Sequence, residues 1–158
     1  MSFSIEGKTA IVTGGANGVG CAVGRHLADQ GANVMFVDMD EEGLVKEFGA
    51  AADEGNISYF AGDLREKLTM ANLLSATIDQ FDQVDILVNA CRQVMITDPL
   101  SADDDTMEVM LQQNLLNSLR LSQLVARRMI KQAAGNTDDE AGSIINLSSI
   151  AARRAHPE

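Results

Sequence analysis

A glycine-rich turn between a short apolar segment and a helical pattern constrains this chain more than any other feature. Residues 8–12 read Lys-Thr-Ala-Ile-Val, which is typical of a buried strand, and residues 13–20 read Thr-Gly-Gly-Ala-Asn-Gly-Val-Gly. The helix that follows has unpaired backbone N–H groups and partial positive charge at its N-terminus, so it attracts anions such as phosphate. Glycines let the backbone approach that phosphate closely. The turn alone also fits an ordinary strand-to-helix connection.

Apolar segments of strand length alternate with helical segments along the whole chain. Continuous apolar strands separated by helices are typical of a parallel sheet covered on both faces. We therefore predict a doubly wound α/β fold with three layers, α/β/α, and strand order 3-2-1-4-5, in one domain over residues 1–158. The predicted strands are 8–12, 33–37, 57–61, 85–89 and 143–147, and the predicted helices are 19–30, 41–52, 67–81 and 101–131, the last with Ser101 as N-cap and Asp103, Asp104 and Asp105 in its first turn.

Charge and composition argue against several classes of partner. The net charge of −11 over 158 residues disfavours nucleic acid and anionic membrane surfaces, which would repel the protein. No segment approaches the roughly 20 apolar residues of a spanning helix, and the first residues do not resemble a signal peptide. Cys21 and Cys91 lie far apart, in neither a disulfide framework nor a zinc spacing. We expect a cytoplasmic protein with no metal, nucleic-acid or membrane partner.

Polar side chains stand where the predicted strands end, and ligands of doubly wound sheets bind beyond those ends. Asp38, Asp63, Asn89 and Ser149 all occupy such positions. A carboxylate at Asp38 can accept hydrogen bonds from both ribose hydroxyls of an adenosine, and it would repel a 2′-phosphate. No Lys or Arg adjoins it. This pattern favours NAD over NADP as cofactor, and the alternative is a solvated aspartate that caps the turn at residues 40–42.

Five short motifs in a fixed order carry a resemblance to a known family. They are the TGxxxGxG turn at residues 13–20, the pair Asp63-Leu64, the fourth-strand segment 86–89, the pair Asn114-Leu115, and segment 142–149, which reads Gly-Ser-Ile-Ile-Asn-Leu-Ser-Ser. Together they resemble the motifs of the short-chain dehydrogenase/reductase family. The resemblance covers essentially the whole chain and implies a sheet of the Rossmann type.

The resemblance implies hydride transfer between a nicotinamide ring and a secondary alcohol or ketone. In that family a Tyr and a Lys move the proton, Ser149 matches the serine that orients the substrate oxygen, and Asn114 matches the asparagine of the proton relay. The resemblance also implies a homodimer or homotetramer formed through the last helix. The cofactor contacts that it implies are Gly14, Asn17, Gly18, Val19, Gly20, Asp38, Asp63, Leu64, Asn89 and Asn114.

The chain departs from the family pattern in two places. Arg92 stands where the family has a glycine close to the cofactor, and the only tyrosine, Tyr59, lies in the third predicted strand. The family's Tyr-x-x-x-Lys would follow Glu158, so we expect the chain to be the N-terminal part of a longer protein. Two alternatives stay open: a non-catalytic dinucleotide-binding or scaffold protein, and a 3-ketoacyl-carrier-protein reductase, which would prefer NADP.

Overall fold

Five parallel strands form the centre of the fold. The computed structural model describes residues 4–50, 55–96, 100, 105–134, 140–150 and 153. The sheet order is β3-β2-β1-β4-β5, with every neighbouring pair parallel, which confirms the predicted α/β class and strand order. The elements are β1 (Thr9–Thr13), α1 (Gly18–Asp29), β2 (Asn33–Asp38), α2 (Glu41–Phe48), β3 (Ile57–Ala61), α3 (Lys67–Phe81), β4 (Ile86–Asn89), α4 (Thr106–Leu111), a π-helical turn (Gln112–Leu116), α5 (Asn117–Ala133) and β5 (Ser143–Asn146).

Apolar side chains fill both faces of the sheet. Successive strand residues point to opposite faces, so Ala10 and Val12 of β1 join one buried cluster and Ile11 joins the other. The first cluster includes Phe48 of α2, and the second includes Leu121 of α5. Helices therefore cover the sheet on both sides, which confirms the three-layer arrangement.

Helix α2 is shorter than the sequence pattern predicts. It ends at Phe48, with Gly49 at the C-cap, whereas the predicted helix continues to residue 52. Glycine is a poor helix former because it loses the most backbone entropy, and this explains an end at that point. Residues 51 and 52 lie outside the described residues.

The last helix differs from its prediction in its start and in its continuity. Helical residues begin at Thr106, and Asp105 precedes them without a capping bond from its side chain. The predicted N-cap Ser101 and first-turn residues 103 and 104 lie outside the described residues. A single π-helical turn interrupts the helix, where the N–H of Asn117 donates to the carbonyl of Gln112, five residues back. Such turns occur frequently at functional sites.

Helix α5 packs on the sheet through one face only. Its buried side chains Leu121, Val125 and Met129 belong to the second cluster. In the part of the chain that the structure describes, no helix is both long and apolar enough to cross a bilayer. A second apolar row faces outward along α4, the π-helical turn and α5, and its side chains are 47–63% exposed: Met107, Leu111, Leu115 and Leu119.

Candidate functional site

A cleft opens at the carboxyl ends of the central strands. Strand β1 lies between β2 on one side and β4 on the other, and the cleft lies at the carboxyl end of β1. Doubly wound sheets bind ligands at this position. Residues that follow β1, β2, β3 and β4 form its walls, and the π-helical turn and the start of α5 close it from one face. Its lining residues are Thr13, Gly14, Val37, Asp38, Met39, Gly62, Leu64, Asn89, Cys91, Gln113, Asn117, Ser118 and Leu121.

The glycine turn has a backbone that only glycine adopts easily. Gly14 has φ +69°, and a Cβ there would lie 3.0 Å from both the Cα and the N of Cys91. Gly18, the first residue of α1, has φ +56° and open space around it. Asn17, Gly18 and Val19 are exposed at the rim, where the first N–H groups of α1 have no partner within the helix. This cradle fits the pyrophosphate of a dinucleotide.

Gly20 holds the turn and the helix together. It is buried, and a Cβ on it would collide with the Gly14 carbonyl and lie 2.8 Å from the Thr13 carbonyl oxygen. The absence of a side chain therefore lets α1 pack directly on the turn. The predicted contact of Gly20 with a cofactor stays a prediction, because its observed neighbours are backbone atoms of β1 and the turn.

Asp38 presents a carboxylate to the cleft at the end of β2. Its Oδ2 accepts a hydrogen bond from Ala16 N at 3.1 Å, and its Oδ1 accepts one from Asp40 N at 3.2 Å. The N-cap of α2 is Asp40, whose Oδ1 accepts from Gly43 N at 2.9 Å. Each carboxylate oxygen has a second lone pair, so Asp38 can still accept from a ribose hydroxyl. It is the one charged side chain among the described residues that line the cleft.

The segment after β3 carries a tightly held carboxylate beside the cleft. Gly62 and Leu64 line the cleft, whereas Asp63 is bound by Arg65. The Arg65 Nε lies 3.0 and 2.9 Å from the two Asp63 oxygens, and its Nη2 lies 2.6 Å from Oδ2. The hydrogen-bonded Arg65 guanidinium lowers the pKa of Asp63, which keeps this carboxylate ionised. The contact of Asp63 and Leu64 with an adenine stays a prediction.

Asn89 supports the cleft from below. It is buried, and its Nδ2 donates to Ser122 Oγ at 3.0 Å and to Asn146 Oδ1 at 2.8 Å. These bonds join β4 to α5 and β5. Its side-chain nitrogen is therefore committed to internal acceptors, and a direct contact of Asn89 with a cofactor stays a prediction.

The two predicted catalytic residues lie outside the lining of the cleft. Asn114 forms a pair of 2.8 Å hydrogen bonds with the main chain of Gln93, one to its N–H and one to its carbonyl. It thereby fixes the segment after β4 to the π-helical turn. Ser149 follows β5, and Tyr59 lies in β3 at the opposite edge of the sheet. The catalytic roles of Asn114 and Ser149 stay predictions, and the position of Tyr59 does not suit the catalytic tyrosine.

The lining residues that the sequence analysis missed include three with polar or thiol side chains that are hydrogen-bonded to one another: Cys91, Gln113 and Asn117. Gln113 and Asn117 are buried polar residues on a helix that otherwise buries apolar side chains. A signal for them exists in the sequence, because they flank Asn114 at a spacing of one helical turn. The signal for Cys91 is its place two residues after the end of β4.

Comparison with known proteins identifies the family of this chain. A family profile described as short chain dehydrogenase matches residues 8–158. The chain belongs to the short-chain dehydrogenase family. Among the described residues of this family member, no three His, Cys, Asp or Glu side chains are grouped to hold a metal ion.

Several curated proteins are similar along nearly the whole chain. An uncharacterized oxidoreductase of Thermotoga maritima is 27% identical over 98% of the chain. The 2,3-dihydroxy-2,3-dihydro-p-cumate dehydrogenase of Pseudomonas putida is 31% identical over 99% of it, and the D-threitol dehydrogenase of Mycolicibacterium smegmatis is 31% identical over 96%. The chain spans 58%, 59% and 56% of the length of these three relatives, respectively.

Proposed function

We propose that the protein containing this chain is an NAD-dependent oxidoreductase that transfers a hydride between nicotinamide and a secondary alcohol or ketone. The observation that carries the choice of cofactor is Asp38, the single charged group in the cleft lining, placed where a ribose hydroxyl could donate to it. A 2′-phosphate in that position would be repelled by the Asp38 carboxylate. No cationic side chain among the described lining residues would offset this repulsion. Arg65, which follows the lining residue Leu64, is paired with Asp63.

The residues present fit such a cofactor. The start of α1, with Asn17, Gly18 and Val19, would hold its pyrophosphate, and Asp38 its adenosine ribose. Leu64 and Asp63 would face its base. The bound nicotinamide would accept or donate the hydride. Asn114 would fix the chain after β4 beside it, and Ser149 would donate a hydrogen bond to the substrate oxygen, where negative charge develops during the reaction.

The substrate class rests on the relatives. One is named a dehydrogenase of a dihydroxy-dihydro-p-cumate, another of D-threitol, and an L-fucose dehydrogenase of Rattus norvegicus is 31% identical over 92% of the chain. All three names give compounds that carry hydroxyl groups. A small alcohol or ketone is therefore the substrate class that we propose. We also propose that the protein works in the cytoplasm.

Calorimetric titration with NAD and NADP tests the proposal. We expect NAD to bind about tenfold or more tightly than NADP, which corresponds to about 1.4 kcal/mol. The variant Asp38→Ser should reduce this preference, whereas the control Asp79→Ser, on the exposed face of α3, should not change it. Tighter binding of NADP would contradict the choice of NAD and favour the 3-ketoacyl-carrier-protein reductase instead.

A non-catalytic dinucleotide-binding protein is the second candidate. The observation that favours it is the exposed Arg92 in place of the family's glycine. Turnover distinguishes the two candidates. Reduction of NAD by a panel of secondary alcohols, followed by absorbance of the reduced nicotinamide, supports the enzyme, and binding of NAD without turnover supports the module.

We also propose that the protein forms a homodimer or homotetramer through the exposed apolar row of α4 and α5. Met107, Leu111, Leu115 and Leu119 succeed one another at intervals of four residues, so they form one continuous stripe. Stripes of this kind mark protein–protein contacts. Light scattering of the purified protein should give a mass of two or four chains, and a single-chain mass would contradict the assembly.

A further inference from the structure

A row of hydrogen-bonded side chains crosses the wall of the cleft from the end of β4 toward the end of β3. Its members are the thiol of Cys91, the amides of Gln113 and Asn117, and the carbonyl of Leu64; we call this row the amide bridge. Gln113 and Asn117 are only 8% and 6% exposed. All four residues also line the cleft.

The amide of Asn117 finds complementary partners on both of its atoms in one orientation. In that orientation its Nδ2 donates to the carbonyl oxygens of Leu64 at 3.2 Å and Gln112 at 3.1 Å, and its Oδ1 lies 3.2 Å from the Gln113 amide. The reverse orientation gives two bonds: Oδ1 accepts from Gln112 Nε2 at 3.3 Å, and Nδ2 donates to Gln113 Oε1 at 3.2 Å. We favour the first, because a nitrogen donor facing two carbonyls satisfies more buried groups.

The Gln113 amide then has a defined orientation as well. The atom that faces the Asn117 oxygen must be its nitrogen, so its oxygen faces Cys91 Sγ, at a separation of 3.2 Å. The amide bridge therefore runs in one direction, from the thiol through two amides to the Leu64 carbonyl. Burial raises the pKa of Cys91, so the thiol keeps its proton at neutral pH and can donate it to the Gln113 oxygen.

Both ends of the amide bridge are attached to parts of the proposed dinucleotide site. At one end, the N–H groups of Ala90 and Cys91 each donate to Thr13 Oγ1 at 3.1 Å. The backbone of Cys91 also packs closely on Gly14, where a side chain would not fit. At the other end, Leu64 follows β3 directly beside Asp63. A ribose bound by Asp38 would place its base between these two ends, because all of these residues line or adjoin one cleft.

We propose that the amide bridge of Cys91, Gln113 and Asn117 is a positioning element that sets where Leu64 stands against the base of a bound adenine dinucleotide. The proposal rests on the proposed function. Apolar side chains of similar size could fill the same volume, but they would not fix the Leu64 carbonyl in direction. Hydrogen bonds do so, and they are strong in a buried site where water does not compete.

Base-selective binding tests this positioning role. NAD and nicotinamide hypoxanthine dinucleotide differ only at position 6 of the purine, so the ratio of their dissociation constants reports how the cleft contacts the base edge. We expect the unaltered protein to prefer NAD by about tenfold, and we expect Asn117→Leu to bring this ratio close to one. Gln123→Met, on the exposed face of α5, is the matched control and should leave the ratio unchanged.

A second pair of variants separates positioning from a failure to fold. Cys91→Ser keeps a donor at the start of the amide bridge, whereas Cys91→Ala removes it and leaves the Gln113 oxygen unpaired. We expect Cys91→Ser to keep the preference for NAD and Cys91→Ala to reduce it about threefold, and a cooperative melting transition in each variant would show that both still fold. Neither change adds volume to the wall of the cleft.

Each other outcome has a defined meaning. An equal loss of affinity for both dinucleotides in Asn117→Leu, or an unchanged ratio in both Asn117→Leu and Cys91→Ala, would overturn the positioning role. Equal affinity of the unaltered protein for the two dinucleotides would overturn it as well, because no base contact would then depend on Leu64. Failure of the unaltered protein to bind either dinucleotide would instead contradict the proposed function.

Discussion

The two ends of the candidate site are built in contrasting ways. At the cleft, the segments after β1, β2 and β4 are joined by hydrogen bonds, from Ala16 N to the Asp38 carboxylate and from the N–H groups of Ala90 and Cys91 to Thr13 Oγ1. At the serine end, β5 is exposed along its whole length, from Ser143 to Asn146. On the function that we propose, binding of a dinucleotide would be measured at the cleft, separately from any chemistry at Ser149.

The largest effect is expected at the contact between the glycine turn and α1. Gly20→Ala places a methyl group against the Gly14 and Thr13 carbonyls, so α1 must move away from the turn. Overpacking of this kind costs about 1–3 kcal/mol, and we expect a lower melting temperature together with at least tenfold weaker NAD binding. Ala22→Ser is the matched control, because it adds one heavy atom at an exposed position of the same helix. Unchanged NAD affinity in Gly20→Ala would contradict the importance of this close packing.

The hydrogen bonds of Asn89, which link the two ends, should give the second-largest effect. Asn89→Leu removes the donor that joins β4 to Asn146 of β5 and to Ser122 of α5. A lost buried hydrogen bond with unpaired partners costs about 1–3 kcal/mol. We expect a lower free energy of unfolding in urea and faster amide exchange at Leu147, whose N–H donates to the Asn89 carbonyl at 3.2 Å.

Asn72→Leu is the control for this variant, because Asn72 is exposed on α3. Faster exchange at Leu147 without a change in NAD affinity would sharpen the contrast between the two ends. Faster exchange at Leu147 together with weaker NAD binding would show that the two ends are coupled. The contrast between them would then not hold.

The smallest effect concerns Asp63 and Arg65, both partly exposed to solvent. The Arg65 guanidinium lowers the pKa of Asp63, so the ion pair stabilises the folded state above the pKa that Asp63 has in the unfolded chain. This contribution is lost as the pH falls through the lower folded-state pKa. In Arg65→Ala we expect the pKa of Asp63 to return toward its usual value, as measured by carboxyl carbon NMR titration. An unchanged titration in this variant would mean that another group holds the Asp63 carboxylate.

Much of the fold can be predicted from local patterns. The apolar strands, the alternating helices and the glycine turn fix the doubly wound sheet and its order, because each of these signals lies within a few neighbouring residues. Asp38 could be predicted for the same reason, since it ends a clear apolar strand. The interruption of the last helix could not be predicted, because the π-helical turn has no periodic signature of its own.

Sequence patterns are enough to predict the family, the parallel sheet and the edge of the sheet at which the cleft opens. The tertiary structure adds the contacts between polar groups that are distant in the chain, which are those of Asn89 with Asn146 and of Gln113 with Cys91. The physical reason is that hydrogen bonds require donors and acceptors within about 3 Å. For residues far apart in the chain, that proximity follows from strand register and helix packing, which local sequence patterns do not specify.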